Sequence, residues 1–262
     1  MSQSEFTCGE RVAVVTGASR GIGFATAEAL LARGYRVACF SHNDSAIRRA
    51  SAELAERHGE SNLLCATVDL RESSDVRRFF ERISETWSAP SVLVCNAGVS
   101  PKGPDGLRVS FADITVEEWH EAINVNLIAA AQCCQCALPS MAREGFGRII
   151  LIGSVASRAL PFIAGAAYTT SKSGLGGVAR AIVSEYSSRG VTANIIAPGL
   201  ILTEMAGSPE SPKNQAALAR IPIGRFGLPE DVARVVVFLA ADAAHFINGA
   251  TIDVNGGEYL AP

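Results

Sequence analysis

The chain has 262 residues, enough for one large α/β domain or two small ones. Hydrophobic residues make up 48% and charged residues 19%, which fills a core and excludes a disordered chain. A net charge of −3, with 6% aromatics and no basic stripe interleaved with them, excludes a nucleic-acid binder that relies on bulk charge.

Strand-like and helix-like segments alternate along the whole chain. Val12–Thr16 is a short apolar run, read as a buried strand. Ile22–Arg33 follows as a helix, with Gly34 as its C′ residue. Arg36–Phe40 is the second strand and Asp44–His58 a helix with a charged outer face. Leu63–Asp69 is the third strand, and Ser73–Thr86 a helix with Ser73 as N-cap. Val92–Asn96 is the fourth strand. Val99–Asp113 carries polar and Gly-Pro breaks and reads as a long loop. Thr115-Val116-Glu117-Glu118 is a capping-box pattern opening a helix that runs to about Arg143. Arg148–Ser154 is a strand, Ala167–Ser188 a helix and Thr192–Ala197 a strand. Leu200–Lys213 is irregular, Asn214–Arg220 a short helix, Pro229–Ala240 a helix with Pro in its first turn, and Thr251–Val254 a last strand. Such strand–helix repetition predicts one α/β domain, a doubly wound parallel seven-stranded sheet of the Rossmann type, over 11–262 after a tail at 1–10. Both long loops follow strand C-termini, the edge where open α/β sheets bind ligands.

Seven cysteines, an odd number, sit mostly in apolar runs, which suits reduced thiols and a cytoplasmic protein. Cys133-Cys134-Gln135-Cys136 has no His nearby in sequence and reads as helix packing rather than a metal site. The N-terminus lacks the basic and apolar regions of a secretory signal, and no run of 18 apolar residues predicts a membrane span.

Between the first strand and first helix stands Thr16-Gly17-Ala18-Ser19-Arg20-Gly21-Ile22-Gly23. Glycines there let the backbone turn sharply and approach a phosphate, and the helix N-terminus offers free N–H groups and partial positive charge to a pyrophosphate. The spacing is Gly-x-x-x-Gly-x-Gly, and taken alone it also suits a plain tight turn. Joined to Asn96-Ala97-Gly98, Ser154, Tyr168-x-x-x-Lys172 and Pro198-Gly199, it resembles the short-chain dehydrogenase/reductase family from about residue 10 to 257. That resemblance implies hydride transfer between a nicotinamide and a carbonyl/alcohol pair.

Tyr168 and Lys172 lie four apart and share a helix face. A phenol with a pKa of about 10 is a poor acid or base at neutral pH, and a nearby ammonium is expected to pull that value down. The resemblance also implies that Lys172 bonds the nicotinamide ribose. Ser154 ends a strand, where its hydroxyl either donates to the substrate oxygen or caps the turn; Ser157 competes for the donor role. Gly153-Ser154-Val155-Ala156 is not a nucleophile elbow and has no suitably placed His, which disfavours a hydrolase. Asn126 matches the family asparagine that holds a water in a proton relay with the lysine; it also suits bracing a helix against a strand, and Asn124 is expected to point elsewhere.

For the cofactor, Asn96-Ala97-Gly98 resembles the segment beside the adenosine ribose, and Asp69-Leu70 offers a carboxylate to the adenine amine. Pro198, Gly199, Ile201 and Thr203 match the stretch over the nicotinamide. An NAD enzyme usually carries an acid at the end of the second strand. Here Ser41-His42-Asn43 stands there, and Arg20 supplies a cation suited to a 2′-phosphate. NADP is therefore expected over NAD, with His42 where an arginine is frequent among NADP users. Cys95, Asn255 and the long Ser100–Ser110 loop depart from the family pattern. Glu204-Met205 after Thr203, the run from Arg220 to Asp231 and the glycine loop look like 3-oxoacyl-carrier-protein reductases, so a small-molecule or acyl-thioester carbonyl is the expected substrate. A dehydrogenase of small alcohols, sugars or steroids shares these features. An inactive cofactor-binding scaffold is disfavoured by the intact set Asn126, Ser154, Tyr168 and Lys172. The resemblance also implies a homotetramer.

Overall fold

Val12–Thr16 forms β1, and all five residues are buried, as a strand covered on both faces requires. In the computed structural model, which describes residues 11–103 and 106–261, six more parallel strands join it. They are β2 (Arg36–Ser41), β3 (Leu63–Thr67), β4 (Val92–Cys95), β5 (Gly147–Ile152), β6 (Val191–Pro198) and β7 (Thr251–Val254). Their order is β3-β2-β1-β4-β5-β6-β7, the doubly wound Rossmann-type arrangement. The expected tail at 1–10 lies outside the described residues.

Strand alternation divides the core into two layers. Val12 and Val14 of β1 face one side with Phe40, Leu93 and Ile149, where Phe79 and Phe80 of α3 (Ser73–Thr86) and Leu175 of α6 (Ala166–Tyr186) cover them. Ala13 and Val15 face the other with Val94, Ile150 and Ile196, covered by Leu30 of α1 (Gly21–Leu31), Leu54 of α2 (Asp44–His58) and Val236 of α8 (Pro229–Ala240). Each Val, Leu, Ile or Phe side chain so buried contributes about 1.5–3 kcal/mol.

Three expectations about helices need correction. Glu72, not Ser73, is the N-cap of α3: Glu72 has the extended backbone of a cap (φ −100°, ψ 100°), and Ser73 is already helical. The short helix α7 begins at Pro212, two residues before the expected start, because proline's fixed φ suits a first helical position. The helix opened by Thr115 is not continuous. Its capping box forms as expected, with Thr115 Oγ1 accepting from Glu118 N–H and Glu118 accepting from Thr115 N–H. The run then divides into α4 (Val116–Ile123), a π turn at Asn124–Ile128 and α5 (Ala129–Glu144). The wide turn leaves Asn124 exposed and brings Asn126 into the core.

Together Val116–Glu144 is long and apolar enough by composition to cross a bilayer. Its inner face is instead packed on β4, β5, α3 and α6. Cys133 and Cys134 belong to that packed face.

Candidate active site

The chain reverses its winding at β1, so the loops after β1 and β4 diverge and leave a crevice at the C-terminal sheet edge. A cleft of about 450 Å³ opens there. It runs from Ser41 and His42 at one end, past the glycine loop, to Ser154 and Tyr168.

The glycine loop is held by β4's exit. Thr16 Oγ1 accepts from the backbone N–H groups of Asn96 and Ala97 at 3.0 and 2.9 Å, and the Asn96 amide donates to the carbonyls of Thr16 and Gly17. Asn96 thus contributes backbone to the cleft while its side chain braces the turn. A Cβ on Gly17 would lie 2.8 Å from Ala97 Cα, and one on Gly23 2.4 Å from Gly17 O, so neither position admits a side chain. Gly23 does not itself line the cleft; it lets α1 approach the turn. Gly17 and Gly21 also have φ of +66° and +57°. Arg20, the N-cap of α1, makes no side-chain cap bond, and no acid occupies the first turn. The α1 N-terminus therefore presents unsatisfied N–H groups and positive potential to the cleft alongside Gly21 and Ile22. That cradle fits the diphosphate of a dinucleotide.

At the far end, the buried Ser41 accepts a hydrogen bond from Ser19 at 3.1 Å. His42 lines the cleft, and Asn43 caps α2 by accepting from Ala46 N–H. No carboxylate stands at the end of β2. Two expected contacts are already engaged. Arg71 holds both oxygens of Asp69 at 2.6–3.1 Å, which keeps that carboxyl below its usual range and leaves Leu70 as the apolar neighbour beside it. Arg20 is not free for a phosphate: it forms an ion pair with Glu204, a partner the sequence reading did not assign to it. The partners are separated by 184 positions, so no local pattern signals the pair.

The chemical group sits opposite. Ser154 follows β5, and its Oγ accepts from Ala156 N–H at 3.1 Å. Its own proton is left for another acceptor, and the Ser154 hydroxyl lines the same cleft as Tyr168 and favours that residue's phenolate. Ser157 donates to the Ser154 carbonyl at 2.7 Å and is not available as the competing donor. Lys172 is buried, 5% exposed, with its ammonium 5.8 Å from the centre of the Tyr168 ring and bonded to Ile152 O at 2.7 Å. A Cβ on Gly98 would come within 3.4 Å of Lys172 Nζ and 3.2 Å of Asn126 Oδ1, so the small residue admits both.

The electrostatics depart from expectation. Burial pushes the Tyr168 phenol up, with the Ser154 hydrogen bond working against it, and Lys172 has no resolved influence on it. Burial also lowers the Lys172 ammonium to about 8. Desolvation therefore outweighs the pair's mutual attraction when only the chain's own groups are present.

Asn126 is fully engaged. It accepts from Val99 N–H at 2.7 Å and donates to Val99 O and Ser171 Oγ, both at 2.9 Å. Ser171 passes this on to Tyr168 O at 2.7 Å. The network ties the π turn, the exit of β4 and the first turn of α6 together, which is the bracing role; the side chain does not line the cleft. Ser171 was not singled out in the sequence, although its place three residues after Tyr168 and next to Lys172 puts it on the same helical turn.

Pro198, Gly199, Ile201 and Thr203 all line the cleft. Ile201 pairs with Gly227 in an isolated bridge, and Thr203 Cγ2 lies 3.0 Å from where a Cβ on Gly21 would be. The 200–206 segment thus forms the second wall facing the glycine loop. Leu160, Phe162 and Met205, all exposed, give the mouth an apolar rim that sequence pattern did not mark.

The chain's similarities agree with this geometry. Residues 17–258 match the family model described as enoyl-(acyl carrier protein) reductase. The chain is 38% identical over 253 residues to an acetoacetyl-CoA reductase of Rhizobium meliloti, covering 96% of this chain and 99% of that one. It is 35% identical over 250 residues to the 3-oxoacyl-[acyl-carrier-protein] reductase FabG of Escherichia coli, covering 95% and 98%. A 3-oxoacyl-[acyl-carrier protein] reductase of Brucella melitensis, solved with bound NAD, superposes with a TM-score of 0.87 at 28% identity, covering 97% of this chain and 93% of that one. With its seven-stranded parallel sheet and its serine, tyrosine and lysine gathered on one cleft, the chain belongs to the short-chain dehydrogenase/reductase family of NAD(P)-dependent oxidoreductases.

Proposed function

We propose that the protein reduces the ketone of a 3-oxoacyl thioester with NADPH, with Ser154, Tyr168 and Lys172 as its chemical groups. The observation that carries this reading is that Ser154, Tyr168 and the buried Lys172 line one cleft. The relatives' names, 3-oxoacyl-carrier-protein reductase and acetoacetyl-CoA reductase, support the thioester.

When bound, the reduced nicotinamide supplies hydride to the carbonyl carbon. The protein's own part is to hold the carbonyl oxygen and deliver one proton to it. The Ser154 hydroxyl donates to that oxygen and fixes it beside the Tyr168 phenol. Tyr168 transfers its proton to the oxygen as negative charge develops there, giving the alcohol. A phenol kept protonated by burial is suited to the donor role. Lys172, protonated below about pH 8, favours the phenolate once it forms, with its ammonium over the Tyr168 ring, and the phenol regains its proton from solvent before the next turnover. Asn126 and Ser171 position Tyr168 through its backbone carbonyl.

The lack of an acid at Ser41-His42-Asn43, where β2 ends, supports NADPH. Arg20 becomes the phosphate's partner once Glu204 releases it. A homotetramer in the cytoplasm is consistent with the family. The test is the ratio of kcat/KM for NADPH and NADH with acetoacetyl-CoA. A strong NADPH preference, reduced most by Arg20→Glu, is expected; an NADH preference refutes the cofactor assignment, and no thioester turnover alongside brisk reduction of other ketones refutes the substrate.

A further inference from the structure

The loop after β4 carries Lys102 into the same cleft as Ser154 and Tyr168. Its ammonium is partly buried, and the bond it makes, to Ile163 O, is at the 3.5 Å limit of a hydrogen bond. Lys213, at the start of α7, is close enough to act on it with like charge, and it holds the loop by donating to Gly106 O at 3.0 Å. Among the described residues no carboxylate pairs with either ammonium. Arg220, on the same rim, differs: its guanidinium stacks 4.7 Å above Phe162 and its charge acts on the half-buried Glu258. Burial followed by the Lys213 charge lowers the Lys102 ammonium below its usual range. Two neighbouring cations, one of them partly desolvated, cost free energy unless an anion joins them. The cleft that Lys102 lines is open to such an anion.

We infer that Lys102, reinforced by Lys213, is a specificity residue that binds an oxyanion on the substrate, a carboxylate or a phosphate. This deepens the reading of a carbonyl reductase and rests on it for the place of the ketone. A lysine is a flexible point charge and suits either group.

The experiment compares two pairs of ketones with the wild type and Lys102→Gln. Acetoacetate and ethyl acetoacetate differ by a carboxylate; acetoacetyl-CoA carries phosphates, together with the rest of its nucleotide and pantoyl arm, that acetoacetyl-N-acetylcysteamine lacks. The inference expects kcat/KM of the variant to fall about tenfold or more for one anionic member, mostly in KM, and less than twofold for its neutral counterpart. A loss confined to acetoacetate identifies a carboxylate; a loss confined to acetoacetyl-CoA identifies a phosphate. An equal loss within both pairs, or none, overturns the inference, since a lysine that only props the loop affects charged and neutral substrates alike. Calorimetric titration of the NADP⁺ complex with acetoacetate and with CoA reads the same site without turnover. Reduction of ketones with no Lys102-dependent binding of either anion overturns this inference alone. Lys102-dependent binding without any reduction leaves it standing and overturns the reductase reading.

Discussion

Replacing Lys172 by methionine is expected to stabilise the protein while abolishing its activity. Folding takes the ammonium from 10.5 to about 8 because burial strips its water. At about 1.36 kcal/mol per pKa unit, the folded state bears a penalty of about 3 kcal/mol wherever both folded and unfolded lysines are protonated, that is, below about pH 8. Methionine keeps the unbranched stem and removes the charge. It leaves Ile152 O without its 2.7 Å donor, a loss of about 1 kcal/mol. The net expectation at pH 7 is a variant about 2 kcal/mol more stable, or about 5 °C in Tm. Above pH 8 the folded lysine sheds its proton while the unfolded one keeps it up to 10.5. The unfolded chain then binds more protons, wild-type stability rises relative to the variant, and the gap closes by about pH 10. Urea unfolding of both proteins at pH 7 and pH 10, without cofactor, measures this. A variant destabilised by the same amount at both pH values refutes the claim that the wild type carries a desolvated charge there.

Further outcomes follow from the cleft's walls. Gly23→Ala places a methyl 2.4 Å from Gly17 O; since that contact is backbone, the glycine loop must shift, and the Kd for NADPH by fluorescence titration is expected to rise at least tenfold with modest change in Tm. Glu204→Gln removes the counter-ion of Arg20; because the pair is exposed, the gain in NADPH over NADH preference is limited to about fivefold and shrinks with added salt. Ser171→Ala breaks the link from Asn126 to Tyr168; kcat is expected to fall more than KM rises, as for a positioning residue.

Much of this was legible in the sequence because it depends on short-range pattern. Buried parallel strands read as apolar runs, as Val12–Thr16 and Val92–Cys95 do. The glycine loop is legible because backbone contact leaves no room for Cβ at Gly17 and Gly23. What escaped depends on partners distant in the chain. The Arg20–Glu204 pair redirects a cation otherwise read as free for phosphate. Arg71 takes the carboxylate of Asp69 although both are near in sequence, since a loop leaves no periodic signal. The π turn at Asn124–Ile128 interrupts a run whose composition is helical throughout, so only the inward turn of Asn126 against Val99 reveals it. The Tyr168–Lys172 spacing told that the groups share a face; it carried no information on burial, which decides their pKa values.

The account turns on Tyr168 as the group that delivers the proton. Single-turnover reduction of acetoacetyl-CoA by NADPH, followed at the nicotinamide absorbance, compares the wild type with Tyr168→Phe at matched cofactor occupancy. The account predicts unchanged NADPH affinity and a hydride-transfer rate lower by a factor of about 10² or more. A phenylalanine variant that reduces the thioester at near the wild-type rate contradicts it.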